Sequence, residues 1–557
     1  MIADQDRKLI ITNILLVIVA YSCLIFFILN LMNFYHDDAY IILRYAKNFL
    51  SGKGLVWNVG EYVEGYTCFL WLLLISMLGY LKCDLVIASQ VLGVVFAFLT
   101  LLLFPLLERK ELAGGALLLS ANGCFALWAL GGLETVGFGF FVLLGAYLFY
   151  KKSTESNTLF FVGVIFGLAT MTRPEGILLV AITSIFCLFN NKTPFKKALG
   201  KSLAVILGFL IIYAPYFAWR LTYYGHFFPC TFYVKGGTGI LQLLFGSRYV
   251  FHFAVQYGFP LLATLLVNDK KTFFSRNAYL ISILLCYVAY IILVGGDHMQ
   301  GYRFFVPLLP VFYLLIQNAV NSIKLGKQPA FGIACFAILM IATASISYRW
   351  TTRTPQETIK ATSHSYQYRY CIGVPDNAAY FGKIIGLYIK EHWPSDAIIA
   401  LNTAGSTPYY SDKVAIDMLG LNDYTIALRD MPINLNSVIL KEIGHIGKLL
   451  SAKGRDEVVK AITTRFFPWQ LMPGHGKGHG EYVLQRKPHY IIIGPACGSD
   501  TGWFFSDDEL LASPSFHEQY QLREVFIPVK DNYYRYYRAA QEGVILFKYY
   551  ERRPVAH

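Results

Sequence analysis

The chain has 557 residues, of which 55% are hydrophobic and only 15% are charged, and its formal net charge is +13. This composition is too apolar for a soluble protein of this length, and the long apolar runs predict a polytopic α-helical membrane protein. The basic excess lies largely in short loops beside those runs, where it would face anionic membrane lipids. Nucleic acid is therefore not an expected partner.

The apolar runs predict about eleven membrane spans. The first, about residues 9–31, is too long for a signal-peptide core and lacks a small-residue cleavage site, so it predicts an uncleaved span. The run 68–81 is shorter and fits better as a juxtamembrane or re-entrant helix. The other candidate spans are 85–107, 112–130, 133–150, 158–172, 177–190, 201–219, 249–267, 278–295, 306–323 and 330–347.

Lysine and arginine residues set the predicted orientation. If all eleven runs cross the membrane, the basic loops fall on one side, which is cytoplasmic by the positive-inside rule. The N-terminus is then inside and the C-terminus outside. The basic loops contain Arg7–Lys8, Arg109–Lys110, Lys151–Lys152, and the basic residues of 192–201, 270–276 and 324–327.

The predicted first outer loop, residues 32–84, contains the adjacent carboxylates Asp37 and Asp38. Such a pair can divide labour, one group acting as general base and the other as a ligand or orienting group. The alternative is a solvated loop whose acids cap a helix at about 38–50. Further polar and aromatic residues of this loop are Arg44, Trp57, Asn58, Glu61, Glu64 and Tyr66.

Four later outer segments carry polar clusters: GGLET, TRPEG, residues 220–235 and GGDHMQGYRFF. Charges at the ends of spans are costly and usually face a cavity or a partner. Any one cluster is explained by a helix cap or a local ion pair. Together with the first loop they predict a mixed-charge cavity open to the outside, whose Arg and Lys residues could hold a phosphate. The residues concerned are Glu134, Arg173, Glu175, Tyr224, His226, Lys235, Asp297, His298 and Arg303.

From about residue 348 the apolar runs shorten, so we predict a transmembrane module over 1–347 and one soluble domain over 348–557. Its Cys371 and Cys497 lie in a compartment where disulfides persist, although the sequence leaves their pairing open. Short strand-like runs alternate with helix-like stretches and predict an α/β domain. The strands are expected at 397–401, 414–419, 489–494 and 542–550, and helices at 376–392 and 437–453.

The GHGKGHGE run (474–481) places His475 and His479 four residues apart, a spacing suited to metal binding only in a helix. Its glycines disfavour a helix, so an acceptor-facing loop and a plain surface loop remain, with His475 and Lys477 as the candidates. Neither a Cys/His zinc pattern, a phosphate-binding loop nor a dinucleotide fingerprint occurs in the required context. We therefore expect no cofactor and no divalent metal.

A set of motifs carries a resemblance to a known family. In chain order they are DDAYIILRYAKN, GKGLVWNVGEYVEGYT, LGGLET, TRPEG, YGHFFP, GGDHMQGYRFFVPLLP, AGSTPYYSDKVAIDMLGLND, PGHGKGHGEYVL and RKPHYIIIGP. The set resembles the membrane glycosyltransferases of the GT-C fold, specifically the mycobacterial terminal β-(1→2)-arabinofuranosyltransferase family. Single motifs such as TRPEG are weakly specific, whereas the ordered set through nearly the whole chain is specific.

The resemblance implies a transferase in the bacterial inner membrane that takes an arabinofuranose-like sugar from a polyprenyl-phosphate donor at the periplasmic face. The acceptor would be a glycan, a lipid or a protein, and Asp37 or Asp38 would be the catalytic base. Because phosphate is a good leaving group, the site must supply positioning, a base and cations. The candidate cations are Arg173, Arg303, Lys235 and Arg44. The candidate sugar or acceptor ligands are Trp57, Asn58, Glu61, Glu64, Tyr66, Glu134, Glu175, Tyr224, His226, Asp297, His298, His475 and Lys477.

The sequence departs from the family pattern at Cys68, Cys230 and the step His298-Met299-Gln300. These positions lie beside the predicted site. The identities of the sugar and the acceptor are therefore left undetermined, whereas the reaction type is not. A transporter or flippase of lipid-linked sugars is the alternative class, because transporters also place charges at membrane depth. It explains less well why so many reactive groups lie in one outer loop, and no inverted repeat is apparent.

Overall fold

The computed structural model describes residues 2–107, 111–152, 155–189, 194–236, 239–323, 329–352, 374–431, 474–536, 540–541 and 543–554. Several predictions fall outside these residues and stay predictions. They concern Arg109 and Lys110, Lys192, Lys324 and Lys327, Cys371 with its pairing to Cys497, and the helix at 437–453.

Residues up to 352 are helical wherever the structure describes regular elements. The α-helices are α1 (Ile2–Leu31), α2 (Asp37–Leu50), α3 (Phe69–Tyr80), α4 (Leu85–Leu107), α5 (Gly115–Ser120), α6 (Gly123–Leu130), α7 (Thr135–Lys152), α8 (Ser156–Thr172), α9 (Ile177–Leu188), α10 (Phe195–Tyr224), α11 (Cys230–Lys235), α12 (Ile240–Tyr257), α13 (Lys270–Leu293), α14 (Leu309–Asn321) and α15 (Pro329–Thr351). Short 3₁₀ helices occur at Pro174–Gly176, Phe259–Leu266 and Val306–Leu308.

Five helices of the described residues, α1, α4, α10, α13 and α15, are long and apolar enough to cross a membrane. Two bent pairs raise this number to seven if each is one span: α6 with α7, bent by 119°, and α12 with the following 3₁₀ helix, bent by 67°. The chain is therefore a multi-pass membrane protein, and about eleven crossings remains a prediction. Helix α3 has only 12 residues and lies where a short juxtamembrane or re-entrant helix was expected.

The apolar run 112–130 is not one helix but two, α5 and α6, interrupted at Ala121 and Asn122. Side chains from distant helices bind the amides at the start of each piece. The Gly115 N–H donates to Gln317 Oε1 at 3.0 Å, and the Gly123 N–H donates to Ser347 Oγ at 2.8 Å. Irregular backbone at membrane depth is tolerated only where protein encloses and satisfies it. Apolar composition alone predicts a continuous span because it does not reveal these partners.

Glycines allow α8 and α10 to approach closely. A Cβ added at Gly163 of α8 would overlap the Val205 carbonyl of α10, and one added at Gly208 of α10 would overlap the Phe160 carbonyl of α8. Small residues at such crossings are typical of helix packing in membranes. This contact supports the long helix α10, whose last residues begin the segment 220–235.

The described residues from 374 onward form a six-stranded mixed sheet in the order β2-β1-β3-β6-β4, with β5 paired to β6. Strands β1 and β2 are parallel, as are β1 and β3, whereas β6 is antiparallel to β3 and β4. The strands are β1 (Ile398–Leu401), β2 (Val414–Asp417), β3 (Tyr490–Ile492), β4 (Tyr520–Pro528), β5 (Ala540–Gln541) and β6 (Val544–Arg552). The helices are α16 (Asn377–His392), α17 (Ser406–Ser411), α18 (Tyr424–Ala427), α19 (Gly480–Gln485), α20 (Phe505–Ala512) and α21 (Pro514–Gln519).

Four of these strands and α16 lie where the sequence predicted them, whereas β4 and the two-residue strand β5 were missed. Strand β4 is at the sheet edge, and most of its side chains are exposed or half-buried. Its sequence therefore lacks the apolar alternation that identifies a half-buried strand. The proposed boundary at 347/348 stays a prediction.

Helix α2 lies between the membrane helices and the sheet-containing part. It contacts α3 and α4 on one side and α16 and α17 on the other. Helices α2 and α17 touch, so the segment 32–84 and the C-terminal part are in direct contact. The side of the membrane on which they lie stays a prediction.

Candidate active site

The two adjacent aspartates have different surroundings. Helix α2 begins at Asp37, and its N-cap is His36, whose Nδ1 accepts the Asp38 N–H at 3.2 Å. Asp37 is only 6% exposed, so the alternative of a solvated loop with an acidic cap is wrong. The cap is the neighbouring histidine, and Asp37 is buried against the C-terminal part.

Asp37 is held by the chain segment before and at the start of α17. Its Oδ1 accepts the Ser406 N–H at 2.8 Å and the Ser406 Oγ–H at 2.6 Å, and its Oδ2 accepts the Gly405 N–H at 3.2 Å. Burial raises the pKa of Asp37 to about 6, and the Ser406 hydrogen bonds oppose that shift. Both carboxylate oxygens of Asp37 are therefore engaged.

Asp38 is half-buried, and its carboxylate makes no hydrogen bond or ion pair with any residue that the structure describes. Lys235, at the end of α11, feels the Asp38 charge. Burial lowers the pKa of Lys235, the positive charges of Arg303 and Arg173 lower it further, and Asp38 and Asp297 oppose the shift. Lys235 is thus the predicted cation that interacts with Asp38, and the charges of Arg303 and Arg173 act on the same lysine.

Arg173 is held by the GGLET and TRPEG turns together. Its Nε donates to Glu175 Oε1 at 2.5 Å and its Nη1 donates to Glu134 Oε1 at 2.8 Å. The Tyr287 hydroxyl donates to the same Glu175 oxygen at 3.0 Å. All three members of this ion cluster are less than 10% exposed. The two glutamates therefore orient Arg173, and the sugar-binding role expected for them stays a prediction.

Arg303 is oriented in a similar way by Asp297, to whose Oδ2 it donates through Nε at 2.6 Å. Its two terminal amino groups have no hydrogen-bond partner in the described part of the chain. The guanidinium carbons of Arg303 and Arg173 each lie 5.1 Å from the Phe304 ring centroid. Two arginines on one ring with a lysine nearby form an arrangement that suits a phosphate group.

Trp128 was not identified from the sequence, because it lies inside an apolar run. It is fully buried, and its Nε1–H donates to the Gln300 carbonyl at 3.1 Å. Its ring lies 5.6 Å from the His36 ring and 5.7 Å from the Arg303 guanidinium carbon. Trp128 therefore connects the loop that carries Asp38 with the loop that carries Arg303.

The C-terminal part also contributes to the walls of this site. The His475 ring lies 4.6 Å from the His298 ring and stacks on Phe504 at 5.7 Å. Asp376, which precedes α16 and was missed by the sequence analysis, interacts with the charges of Asp38 and His36. Residues 474–479 are not helical, as their glycines indicated, so His475 and His479 do not lie on one helix. Among the described residues, no group of three or more His, Cys, Asp or Glu is arranged to hold a metal ion.

Other predicted site residues lie in the contact between the first outer loop and the C-terminal part. Arg44 donates to the carbonyls of Trp57, Pro408 and Lys413 at 2.7, 2.5 and 2.7 Å, so its guanidinium is occupied. The remaining contacts of this group are Arg44 with Asn58 Oδ1 at 3.0 Å, Asn58 with the Ala415 carbonyl at 2.7 Å, Glu61 with Arg486 at 2.6 Å, and Lys477 with the Arg429 carbonyl at 2.6 Å.

A third group lies at the outer end of α10. Glu64 forms a buried ion pair with Arg220. The Tyr66 and Tyr224 hydroxyls are 2.9 Å apart, and Tyr224 donates to the Leu55 carbonyl at 2.8 Å. The His226 ring stacks on the Tyr424 ring at 3.7 Å. The sugar-binding roles expected for these residues stay predictions, since each residue already has a protein partner.

Comparison with known proteins gives both a family match and named relatives. Residues 366–546 match a family described as "Domain of unknown function (DUF8728)". A terminal β-(1→2)-arabinofuranosyltransferase of Corynebacterium glutamicum is 27% identical over 346 residues, which cover 52% of this chain and 49% of that protein. The protein of the same name from Mycobacterium tuberculosis is 25% identical over 408 residues, covering 63% of this chain and 62% of that protein.

The alignments span about half and about three fifths of these two relatives. The resemblance that the ordered motifs indicated is confirmed. Two solved structures of ArnT from Cupriavidus metallidurans, one bound to undecaprenyl phosphate and one in the apo state, also align. They are 12% identical, with TM-scores of 0.45 and 0.48, and cover 72% of this chain and 85% of the ArnT chain.

Proposed function

We propose that this protein is a membrane glycosyltransferase of the GT-C type that moves a sugar from a polyprenyl-phosphate donor to an acceptor hydroxyl, with Asp38 as the general base. The observation that carries the proposal is the unpaired Asp38 carboxylate, which interacts with Lys235, together with Arg173 and Arg303, whose charges act on the same lysine and which both lie over the Phe304 ring. The resemblance to the terminal arabinofuranosyltransferases supports the reaction class. An arabinofuranose-like sugar and a glycan, lipid or protein acceptor are parts of the same proposal.

In the proposed reaction Asp38 takes the proton of the acceptor hydroxyl as its oxygen bonds to the anomeric carbon. The bond from that carbon to the phosphate oxygen breaks, and its electron pair leaves with the lipid phosphate. The cations stabilise the charge that grows on the phosphate. No divalent metal is required, because these side chains supply the positive charge.

Asp38 is preferred over Asp37 because of their hydrogen bonds. Asp37 is 6% exposed and already accepts three hydrogen bonds from Gly405 and Ser406, so its carboxylate is less available to an acceptor hydroxyl than that of Asp38. A general base must lie within hydrogen-bond reach of the proton that it takes. The Asp38 carboxylate is both unpaired among the described residues and accessible.

An apolar cavity of about 300 Å³ supports a lipid-linked donor. Helices α12, α13 and α14 and the 3₁₀ helix Phe259–Leu266 form its walls, and Phe305 lines it. Because Phe305 follows Arg303 and Phe304 directly, an isoprenoid chain seated in the cavity would bring its phosphate near Arg303. Burial of apolar surface would hold the chain there.

The protein would act at the outer face of a bacterial inner membrane, with its N-terminus in the cytoplasm and the C-terminal part in the periplasm. The test is transfer of radiolabelled sugar from polyprenyl-phosphate donors to added acceptors by purified protein. Wild type should transfer sugar, and Asp38→Asn should not. If wild type instead moves lipid-linked sugar across vesicle membranes without transfer, the transporter alternative is favoured.

A further inference from the structure

One segment of the C-terminal part supplies most of the side-chain partners on one face of α2. Residues 404–423, which we call the docking segment, supply the partners for side chains at three- and four-residue spacing along α2. Asp37 binds Gly405 and Ser406. Further along α2, Tyr40 packs against Tyr409 and Tyr410, Arg44 donates to Pro408 and Lys413, and Lys47 pairs with Asp412.

The fit around Asp37 leaves no spare space. A Cβ added at Gly405 would overlap both the carbonyl oxygen and the carboxylate of Asp37. Ser406 is fully buried, and its amide and hydroxyl converge on one Asp37 oxygen. The carboxylate is therefore fixed in position by three donors and by the absence of a side chain at residue 405.

Asp37 precedes Asp38 in the first turn of α2, where consecutive side chains point about 100° apart. Once Asp37 is fixed against the docking segment and His36 caps the Asp38 amide, the rotation of α2 about its axis is set. That rotation determines where the Asp38 carboxylate points. A displacement of about 1 Å in a reacting group can reduce the rate about 100-fold.

We propose that Asp37 is a positioning residue and that the docking segment holds α2 in the rotation that presents Asp38 to the substrate. This inference rests on the proposed function of Asp38. It gives a role to part of the matched family of unknown function, whose residues 366–546 include the docking segment. In this role the C-terminal part completes the active site from outside the membrane.

The experiment uses the full-length protein, with kcat and donor KM measured for Asp37→Asn, Asp37→Ala, Ser406→Ala and the double variant Asp37→Asn/Ser406→Ala. Asparagine keeps an oxygen that can accept from Ser406, whereas alanine keeps none. We expect kcat to fall about 10-fold in Asp37→Asn and Ser406→Ala and about 100-fold in Asp37→Ala, with donor KM unchanged. The fold-reduction in kcat of the double variant should be smaller than the product of the two single-variant reductions, because both changes act on the same contact.

Tyr520→Phe is the matched control, because it removes another buried hydroxyl bond of the C-terminal part, from Tyr520 to the Pro488 carbonyl at 2.8 Å. It should leave kcat unchanged even if it lowers Tm. Hydrogen exchange of the α2 amides provides a second measurement that does not depend on turnover. Exchange should be faster in Ser406→Ala and Asp37→Ala than in wild type and in Tyr520→Phe.

The outcomes separate this inference from the proposed function. If Ser406→Ala and both Asp37 variants keep kcat and α2 exchange within twofold of wild type while Asp38→Asn is inactive, the positioning role is refuted and the base is retained. If Asp37→Asn is as inactive as Asp37→Ala while Asp38→Asn is active, Asp37 is the base and both proposals are wrong. If wild type transfers no sugar, unchanged hydrogen exchange of the α2 amides in Ser406→Ala still refutes the proposal that the docking segment holds α2.

Discussion

Glu64 of the first outer loop and Arg220 of α10 form a buried ion pair in which Arg220 Nε donates to both carboxylate oxygens, at 3.1 and 3.0 Å. Arg220 Nη1 also donates to the Phe227 carbonyl at 2.7 Å. The pair thus ties the first loop to α10 and to the segment that follows it. This contact explains why an acid in a motif expected to bind sugar is almost completely buried.

Glu64→Gln should therefore reduce stability rather than turnover. Removing one member of a buried ion pair typically costs about 3–5 kcal/mol, because the other charge stays buried and unpaired. Glu61→Gln is the control, since Glu61 forms a half-exposed pair with Arg486 whose loss should cost less than about 1 kcal/mol. Tm and kcat of both variants would test this. Full stability with a raised acceptor KM in Glu64→Gln would instead support the sugar-binding role.

Asp38→Asn should reduce kcat at least about 100-fold, because general-base catalysis contributes about 10²–10⁴-fold. The substitution keeps the size of the side chain, so Tm should not change. Asp84→Asn makes the same chemical change at an exposed position of the same loop and should keep full activity. Donor-saturated transfer by each variant is the measurement. Near wild-type turnover of Asp38→Asn would place the base elsewhere.

Lys235→Met should weaken donor binding without reducing stability, because the Lys235 amino group makes no hydrogen bond or ion pair with any described residue. Donor KM should rise about 10-fold or more, as expected for a lost bond to a charged group. Arg173→Ala should behave differently and lower Tm, because it leaves Glu134 and Glu175 buried without their partner. An unchanged donor KM in Lys235→Met would exclude this lysine as a phosphate ligand.

The lowered pKa of Lys235 predicts that donor KM depends on pH in the alkaline range. As pH rises through that pKa, the amine loses its charge and donor KM should increase. This increase should begin at a pH below the ordinary lysine pKa of 10.5. Lys235→Arg keeps its charge over this range and should flatten the increase. Donor KM measured against pH for both proteins is the test, and parallel curves would contradict it.

Gly208→Leu should destabilise the protein by about 1–3 kcal/mol through overpacking of α8 against α10. The added side chain would collide with the Phe160 carbonyl. Gly200→Leu lies on the same helix, where an added Cβ meets no atom within 4 Å, and it should have little effect. Thermal unfolding in detergent compares the two variants, and equal Tm values would mean that the close helix contact is unimportant.

The sequence predicted the cations of the site but not the contact surface around it. Arg173 and Arg303 were identified because charged groups at the ends of spans seldom lack a cavity or a partner. Arg44 is likewise a charged residue in a predicted outer loop. Its partners Pro408 and Lys413, however, are 364 and 369 residues away in the chain. A charged loop residue looks alike in sequence whether it binds a substrate or another part of the same protein.

The aspartate pair shows a related limit. Adjacent identical residues predict a division of labour, but only the contact with Ser406, 369 residues from Asp37, distinguishes the hydrogen-bonded aspartate from its unpaired neighbour. Trp128 was missed for the opposite reason, since an aromatic residue in an apolar run looks like ordinary core. The strands of the sheet were easier to predict, because short apolar runs between turn residues are a local pattern.

The interruption between α5 and α6 has a consequence for how the protein is made. The amides of Gly115 and Gly123 find their acceptors on Gln317 and Ser347, which are 202 and 224 residues further along the chain. The ribosome must complete α14 and α15 before these two bonds can form. Until then the insertion machinery or water must satisfy that stretch of backbone, so the first third of the membrane part reaches its final shape only after the last membrane helix arrives.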